Sequence, residues 1–394
     1  MPFFLCLWLN SFMAFIRSLQ LTHFRCYDSA RLEGLVSGPV VLTGPNGAGK
    51  TNVLEAVSLL SPGRGIRGAK ISEMQQRDAA SPWALSAEAE TQYGSVRIGT
   101  GFDANSTVEK RIVRINGETV KAQTALAEYL ACVWLTPQMD RLFIEGSSSR
   151  RKFLDRLIFA FDPGHAGRVT RYENAMSQRS KILRESERPD PVWLDGLEAQ
   201  MAETGVAIAA ARTEFLSILQ RACDQSDVAE TLFPRALMAL RGTIEELLAQ
   251  APALEVEDMF RYQLRDSRNV DARTGGAATG PHKADLAVTY AAKNMPADQC
   301  STGEQKALLI GITLAHSRLM AAERGAPPIL LLDEVAAHLD ENRRAALYDI
   351  LLGLGGQVWM TGTDALLFDS LASKAHFFHV EKSHLQQRGT AAAA

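Results

Sequence analysis

The chain has 394 residues; a single hydrophobic core stops growing at roughly 250 to 300, so at least two lobes are expected. Hydrophobic residues make up 46% and charged residues 22%, an ordinary globular composition that excludes a disordered or fibrous chain. The formal net charge is −3, from 42 Lys and Arg against 45 Asp and Glu, so the whole-molecule field gives no attraction to nucleic acid and any DNA contact needs a local basic patch.

The stretch from Phe3 to Ile16 is apolar, but it carries no cationic leader and is too short to span a bilayer, which disfavours export and a membrane anchor. Strand-like alternation starts near Phe15, so residues 1–13 are expected to be a dispensable extension, with translation starting at Met13. The five cysteines (Cys6, Cys26, Cys132, Cys223, Cys300) include no C-x-x-C pair. That argues against a zinc hook, a thiol redox centre or a disulfide frame and leaves small buried side chains as the reading.

Pro39 to Thr43 is a β-branched run ending in Gly44, the pattern of a strand buried on both faces. A helix is predicted over Asn52 to Leu60. From Trp83 to about Ile115, alternating runs lead to Asn116-Gly117, a strong hairpin signal, and predict an antiparallel β lobe. Arg150 to Leu248 reads as mostly helical: Leu194, Leu197, Met201, Ile208, Phe215 and Leu219 recur near 3.5-residue spacing, on one face of a long packed helix. A free coiled-coil arm would need more heptads than fit here. Thr274 to Gly280 is Gly-rich and breaks the pattern; a final α/β portion follows from about Asp285 to Val380. The expected division is a first head segment over 14–148, a helical domain over 149–272, a second head segment over 273–382 and a disordered tail over 383–394.

The chemistry is concentrated in two segments. Gly44-Pro45-Asn46-Gly47-Ala48-Gly49-Lys50-Thr51 is a complete G-x-x-x-x-G-K-T loop between a predicted strand and a predicted helix that begins at Asn52. Its glycines let backbone N–H groups turn toward phosphate oxygens, and the helix N-terminus adds partial positive charge. Lys50 is expected on the β- and γ-phosphates of ATP and the Thr51 hydroxyl on Mg²⁺. Downstream, Ile329 to Leu332 is an apolar strand delivering Asp333 and Glu334. This is the Walker-B pattern, with Asp333 holding Mg²⁺ and Glu334 orienting or deprotonating the attacking water.

Three further pieces resemble motifs of the ABC-ATPase superclass. Ser301-Thr302-Gly303-Glu304-Gln305-Lys306, ahead of an apolar helix from Ala307 to Met320, is similar to the signature motif that binds the γ-phosphate held by an opposite subunit; the alternative is a polar helix N-cap. Gln138 resembles the Q-loop glutamine that senses Mg²⁺ and nucleotide, against an ordinary surface glutamine. Asp340 resembles the D-loop aspartate, against a cap on the helix that begins at Glu341. Where transporters of the superclass carry a switch histidine, this chain reads Thr361-Gly362-Thr363-Asp364, which disfavours a transporter ATPase.

The chain from Phe15 to about Val380 resembles the RecF family. The carriers are Phe24 to Tyr27, Gly44 to Ala56, Leu60 to Arg67, Gly146 to Arg156, Thr279 to Leu286 and Ser301 to Lys306. Two departures are Lys283-Ala284, where the family usually has Arg-Asp, and the lack of an acidic pair near Gln138. The resemblance implies an α/β, SMC-like P-loop head with an antiparallel β lobe and a compact helical second domain. It implies a cytoplasmic, slow, Mg²⁺-dependent and DNA-stimulated ATPase that is not a nuclease. It further implies an ATP-dependent homodimer clamping double-stranded DNA at single-strand/double-strand junctions, with RecR and RecO as partners, in repair, replication and the SOS response.

From the residues alone, Arg64, Arg67 and Lys70 after the P-loop helix, and Arg150, Arg151 and Lys152 with Arg156, are candidate phosphate contacts. The alternative for such charge runs is a solvated face. The alternative function is an SMC-type regulatory ATPase acting on protein partners with no DNA site of its own.

Overall fold

The computed structural model describes residues 14–102, 110–186, 189–225 and 232–389; the expected extension over 1–13 lies outside them. In chain order the strands and helices are β1 (Phe15–Phe24), β2 (Tyr27–Leu32), β3 (Pro39–Thr43), α1 (Lys50–Ser58), β4 (Ala84–Thr91), β5 (Gly94–Phe102), β6 (Arg111–Ile115), β7 (Glu118–Thr119) and β8 (Cys132–Leu135). Then come α2 (Ser147–Phe161), α3 (Gly164–Glu185), α4 (Pro191–Asp224), β9 (Ala236–Arg241), α5 (Thr243–Leu248), α6 (Ala253–Asp266), α7 (Arg268–Thr274), β10 (Asp285–Tyr290), β11 (Met295–Pro296) and α8 (Thr302–Arg324). The chain closes with β12 (Ile329–Leu332), α9 (Glu341–Leu354), β13 (Val358–Gly362), β14 (His376–Glu381) and β15 (His384–Gly389).

These elements form two compact units, one of residues 1–137 with 316–394 and one of residues 138–315. The division differs from the expected boundaries at 148/149 and 272/273. Ion pairs give the reason: Lys306 Nζ lies 3.3 Å from Asp140 Oδ2, and Arg150 pairs with Asp285 at 2.7 Å, so the segment after 273 is tied to the start of the helical unit.

Among the described residues the first unit carries two six-stranded sheets. The antiparallel one has the order β2-β1-β4-β5-β6-β7, so the predicted β lobe also recruits the first two strands of the chain, β1 and β2. Its β6–β7 turn is the expected Asn116-Gly117, both at positive φ (51° and 90°), as a tight primed turn requires. The second sheet has the order β15-β14-β3-β13-β12-β8 and is parallel except for β15. Strands β3, β12 and β13 are buried along their whole length, which is why they read as apolar runs without alternation. Helix α1 and residues of both sheets share one core, including Leu19, Leu21, Val53, Leu54, Val57, Ile98, Leu331 and Trp359.

Strand β15 corrects the expectation of a disordered tail from 383: His384–Gly389 pairs antiparallel with β14. Residues 390–394 lie outside the described residues.

The second unit is mainly helical. The apolar stripe on α4 is buried at all six predicted positions from Leu194 to Leu219. Asp190 caps that helix by accepting the Val192 N–H at 2.9 Å, with Pro191 in the first turn. Strands β9, β10 and β11 form a small antiparallel sheet, so the stretch read as mostly helical also contains a strand, Ala236–Arg241. Arg179 is fully buried and joins α3 to Glu198 of α4 and Asp271 of α7, both at 2.8 Å. Among the described residues no helix is long and apolar enough to cross a membrane.

Candidate nucleotide site

The sheet order places β13 between β3 and β12. All three run parallel, so the segments leaving their carboxyl ends, Gly44 to Thr51, Asp333-Glu334 and the end of β13 at Thr361-Gly362, share one edge. In open α/β sheets that edge is where ligands bind.

The phosphate loop is shaped by positions only glycine can fill. Gly44 has φ 147°, and a Cβ there would stand 2.0 Å from the Val380 carbonyl oxygen. Gly49 has φ 114°, and its Cβ would meet the Tyr27 hydroxyl at 2.7 Å and Cys26 Sγ at 2.8 Å. Tyr27 in turn donates to the Gly49 carbonyl at 3.1 Å, and the Ser383 N–H after β14 reaches the Ala48 carbonyl at 3.3 Å. Helix α1 has no side-chain cap and no acidic residue in its first turn. Its N-terminal N–H groups therefore suit an anion.

Lys50 is buried, and Nζ donates to the carbonyls of Gly44 (2.7 Å) and Pro45 (2.9 Å). Those bonds draw the ammonium back over the loop and use two of its three donors. Burial pushes the Lys50 pKa down, and the carboxylates of Glu334 and Asp333 act in the opposite direction.

Asp333 is buried at the end of β12 and gathers two hydroxyls. Thr51 Oγ1 donates to both of its oxygens at 3.0 Å, and Thr361 Oγ1 donates to Oδ1 at 2.7 Å. Thr361 also accepts the backbone N–H of Glu334 at 2.9 Å. Glu334 has φ 54°, a left-handed conformation costly for a residue with a Cβ, of the kind that concentrates at functional sites.

The residues fit a nucleotide and its magnesium. Gly44, Gly47 and Gly49 at positive φ form a cradle that a Cβ would fill at two of the three positions. The Thr51 hydroxyl and the Asp333 carboxylate are hard oxygen donors. Among the described residues no group of three or more His, Cys, Asp or Glu stands ready to hold a metal by itself; Mg²⁺ needs none where substrate phosphates complete its shell.

The Asn52 side chain is engaged by other residues, holding Arg67 Nη1 through Oδ1 at 2.7 Å and donating to Cys26 Sγ at 3.0 Å. Cys26 is half-buried, unlike the buried Cys132, Cys223 and Cys300; Cys6 lies outside the described residues. Arg67 and Arg25 both pair with the fully buried Glu55 of α1, at 2.9 and 2.5 Å. Arg64 and Lys70 are exposed. Asp340 caps α9, its carboxylate accepting the Arg343 N–H at 2.9 Å.

Gln138, Ser301, Gly303 and Glu304 belong to the second unit. Gln138 is exposed in the turn Pro137–Arg141. Ser301 and Glu304 form a reciprocal cap at the start of α8: the Ser301 N–H and hydroxyl both donate to Glu304 Oε2 at 2.9 Å. Lys293 and these Ser301 bonds hold the Glu304 carboxyl down to about 2. Of the other basic cluster, Arg150 binds Asp285 and Arg151 donates to the Ala284 carbonyl at 2.6 Å, so both spend their guanidinium groups inside the fold. Lys152 is exposed, while Arg156 is half-buried and bonded to Met139 Sδ. Ala284, one of the departures from the family pattern, is fully buried.

Sequence reasoning did not single out Thr361, and read Thr361 to Asp364 only as the stretch where transporters of the superclass carry a histidine.

The RecF/RecN/SMC N terminal domain family matches residues 15–384. The chain is 49% identical over 363 residues to the "DNA replication and repair protein RecF" of Agrobacterium fabrum, covering 92% of this chain and 96% of that protein. It is likewise 49% identical over 366 residues to the protein of the same name from Rhizobium rhizogenes, covering 93% and 96%. Among solved structures, the recombination mediator protein RecF-ATPrS of the RecFOR pathway superposes with a TM-score of 0.83 at 22% identity, covering 95% of this chain and 98% of that one. An SMC head domain from Pyrococcus furiosus gives 0.54 at 15% identity, covering 96% and 97%, a likeness of fold. With a family match across nearly its whole length and half its residues shared with these relatives, the chain belongs to the RecF family.

Proposed function

We propose that the chain is a Mg²⁺-dependent ATPase that works as an ATP-driven DNA clamp in replication and recombinational repair. The observation that carries this reading is the convergence of Thr51 and Thr361 on Asp333, beside a loop whose glycines and lysine suit a triphosphate. Magnesium would supply charge neutralisation on the β- and γ-phosphates, held through Thr51 and Asp333. Lys50 would exchange its loop carbonyls for phosphate oxygens. Glu334, fixed by its N–H to Thr361, would orient and deprotonate the attacking water, with Gln138 as the sensing residue. The strain at Glu334 fits a base held in one orientation, and slow turnover fits a switch.

The clamp reading adds a second copy of the chain. Ser301, the Gly303 backbone and the α8 N-terminus of one copy would hold the γ-phosphate bound to Lys50 of the other, as the ABC-ATPase pattern implies. Duplex DNA, in particular single-strand/double-strand junctions, would be the cargo, RecR and RecO the partners, and the cytoplasm the location. The name of the relatives and the RecFOR pathway named with the solved RecF support this. Duplex binding titrated against salt with and without ATP tests it: a steep salt slope that appears only with ATP is expected. Partner binding without any DNA retention would favour the regulatory ATPase instead.

A further inference from the structure

At the start of α8 the polar groups of Ser301 are already engaged inside one chain. The hydroxyl has a single hydrogen, and it goes to Glu304 Oε2 at 2.9 Å; the Ser301 N–H goes to the same oxygen at 2.9 Å, and the Glu304 N–H points back to Ser301 Oγ at 3.4 Å. The other carboxylate oxygen, Oε1, is paired with Lys293 Nζ. Lys293 ends the turn Ala291–Lys293 between β10 and β11, and its ammonium lies 5.5 Å from the centre of the Tyr290 ring. Ser301 is exposed, and the Lys293 and Glu304 side chains are 48% and 20% exposed, so these groups can change partners without unpacking a core.

The arrangement sets up a competition between two anions. Ser301 can give its one O–H hydrogen to Glu304 or to a γ-phosphate brought by a second copy, not to both. A phosphate oxygen about 2.8 Å from Ser301 Oγ would stand no more than about 6 Å from Glu304 Oε2, given the 2.9 Å between Oγ and Oε2, and two anions that close repel unless a cation attends one of them. With its carboxyl held down to about 2, Glu304 is ionised at neutral pH, and the cation beside it is Lys293.

We propose that Glu304 is an internal substitute for the γ-phosphate, which holds the Ser301 donors closed in the single chain and yields them only to the phosphate carried by a second copy, with Lys293 keeping the displaced carboxylate. The proposal rests on the two-copy reading above and deepens it: Glu304, expected from the sequence to bind nucleotide, instead opposes it and sets how much chain and ATP are needed before two copies join. A phosphate loop holding ADP brings no group that can displace it.

The test is sedimentation velocity on the full chain carrying Glu334→Gln, over a dilution series with ATP and Mg²⁺. Glu304→Gln keeps a side chain that can cap α8 but removes its charge, and should tighten the dimer; a two-fold pair contains two such contacts, so about threefold at each gives about tenfold in the dissociation constant. Lys293→Ala leaves the carboxylate unattended and should weaken the dimer by about the same factor. The chain with both changes should match Glu304→Gln alone, because no charge is left for Lys293 to attend. ATP binding by the monomers should not change, since the phosphate loop is untouched. An unchanged or weaker dimer from Glu304→Gln, effects of the same sign from the two single changes, or a Lys293→Ala effect that persists without the Glu304 charge overturns the proposal while the two-copy reading stands. If neither the Glu334→Gln chain nor its Glu304→Gln form dimerises with ATP, both fall.

Discussion

The Thr361 hydroxyl donates to Asp333 Oδ1 at 2.7 Å, and Thr361 Oγ1 itself accepts the Glu334 N–H at 2.9 Å, so one side chain orients both acidic residues. Thr361→Val keeps the shape of the strand and removes both bonds. Its ATP turnover should fall about 10- to 100-fold, the usual effect of losing a group that orients a metal ligand. Thr361→Ser should recover most of it. Turnover measured across a Mg²⁺ series checks this; a valine chain as fast as wild type would remove Thr361 from the site.

Glycine positions in the loop should not be equivalent. Gly44→Ala sets a Cβ 2.0 Å from a backbone oxygen, whereas the Cβ at Gly47 meets nothing within 4 Å. Gly47→Ala should cost only left-handed strain, about 1 to 2 kcal/mol, and Gly44→Ala distinctly more, with loss of nucleotide binding. Denaturant unfolding and nucleotide titration of the two chains check the order.

Lys50→Ala and Glu334→Gln should separate binding from chemistry. The first removes the loop's ammonium and should abolish tight ATP binding. The second keeps a hydrogen-bonding group but cannot accept a proton, so binding should persist while hydrolysis drops about 10²- to 10⁴-fold. Equilibrium binding and single-turnover hydrolysis on the same samples resolve the two effects.

In the helical unit, burial lowers the His282 pKa from its ordinary 6.5 to about 4. The Tyr172 hydroxyl lies 2.7 Å from Nδ1, and Nε2 lies 3.0 Å from the Ala277 carbonyl, an arrangement suited to the neutral ring. Because the folded pKa lies below the unfolded one, the unfolded chain binds the proton first. The stability tied to this ring is complete above pH 6.5 and is lost as pH falls from 6.5 toward 4, by at most about 3 kcal/mol. His282→Gln should flatten the pH dependence of urea unfolding in that window; an unchanged slope would count against it.

The local parts of the site could be read from the chain. The phosphate loop is eight consecutive residues with a strand before and a helix after, and Asp333 and Glu334 close an apolar run, so each needs only near neighbours. What escaped depends on pairing across long separations. Thr361 reaches Asp333 only because β13 lies beside β12. Val380 shapes the loop from more than 300 residues away, and β15, His-Leu-Gln-Gln-Arg-Gly, has no apolar alternation to mark it as a strand. Arg150 and Arg151 looked like phosphate contacts because sequence does not show Asp285 or the Ala284 carbonyl beside them. Asp340 and the Ser301–Glu304 pair fit their capping alternatives in the single chain, which leaves their roles toward nucleotide to the two-copy assembly.

That assembly is the central claim, and sedimentation velocity of the Glu334→Gln chain with Mg²⁺ tests it most directly. The account predicts a dimer with ATP, a monomer with ADP, and a monomer under both conditions once Ser301→Arg is added, while nucleotide binding to that monomer stays intact. Equal dimerisation with ADP and ATP, or a stable ATP dimer of the Ser301→Arg chain, would contradict it.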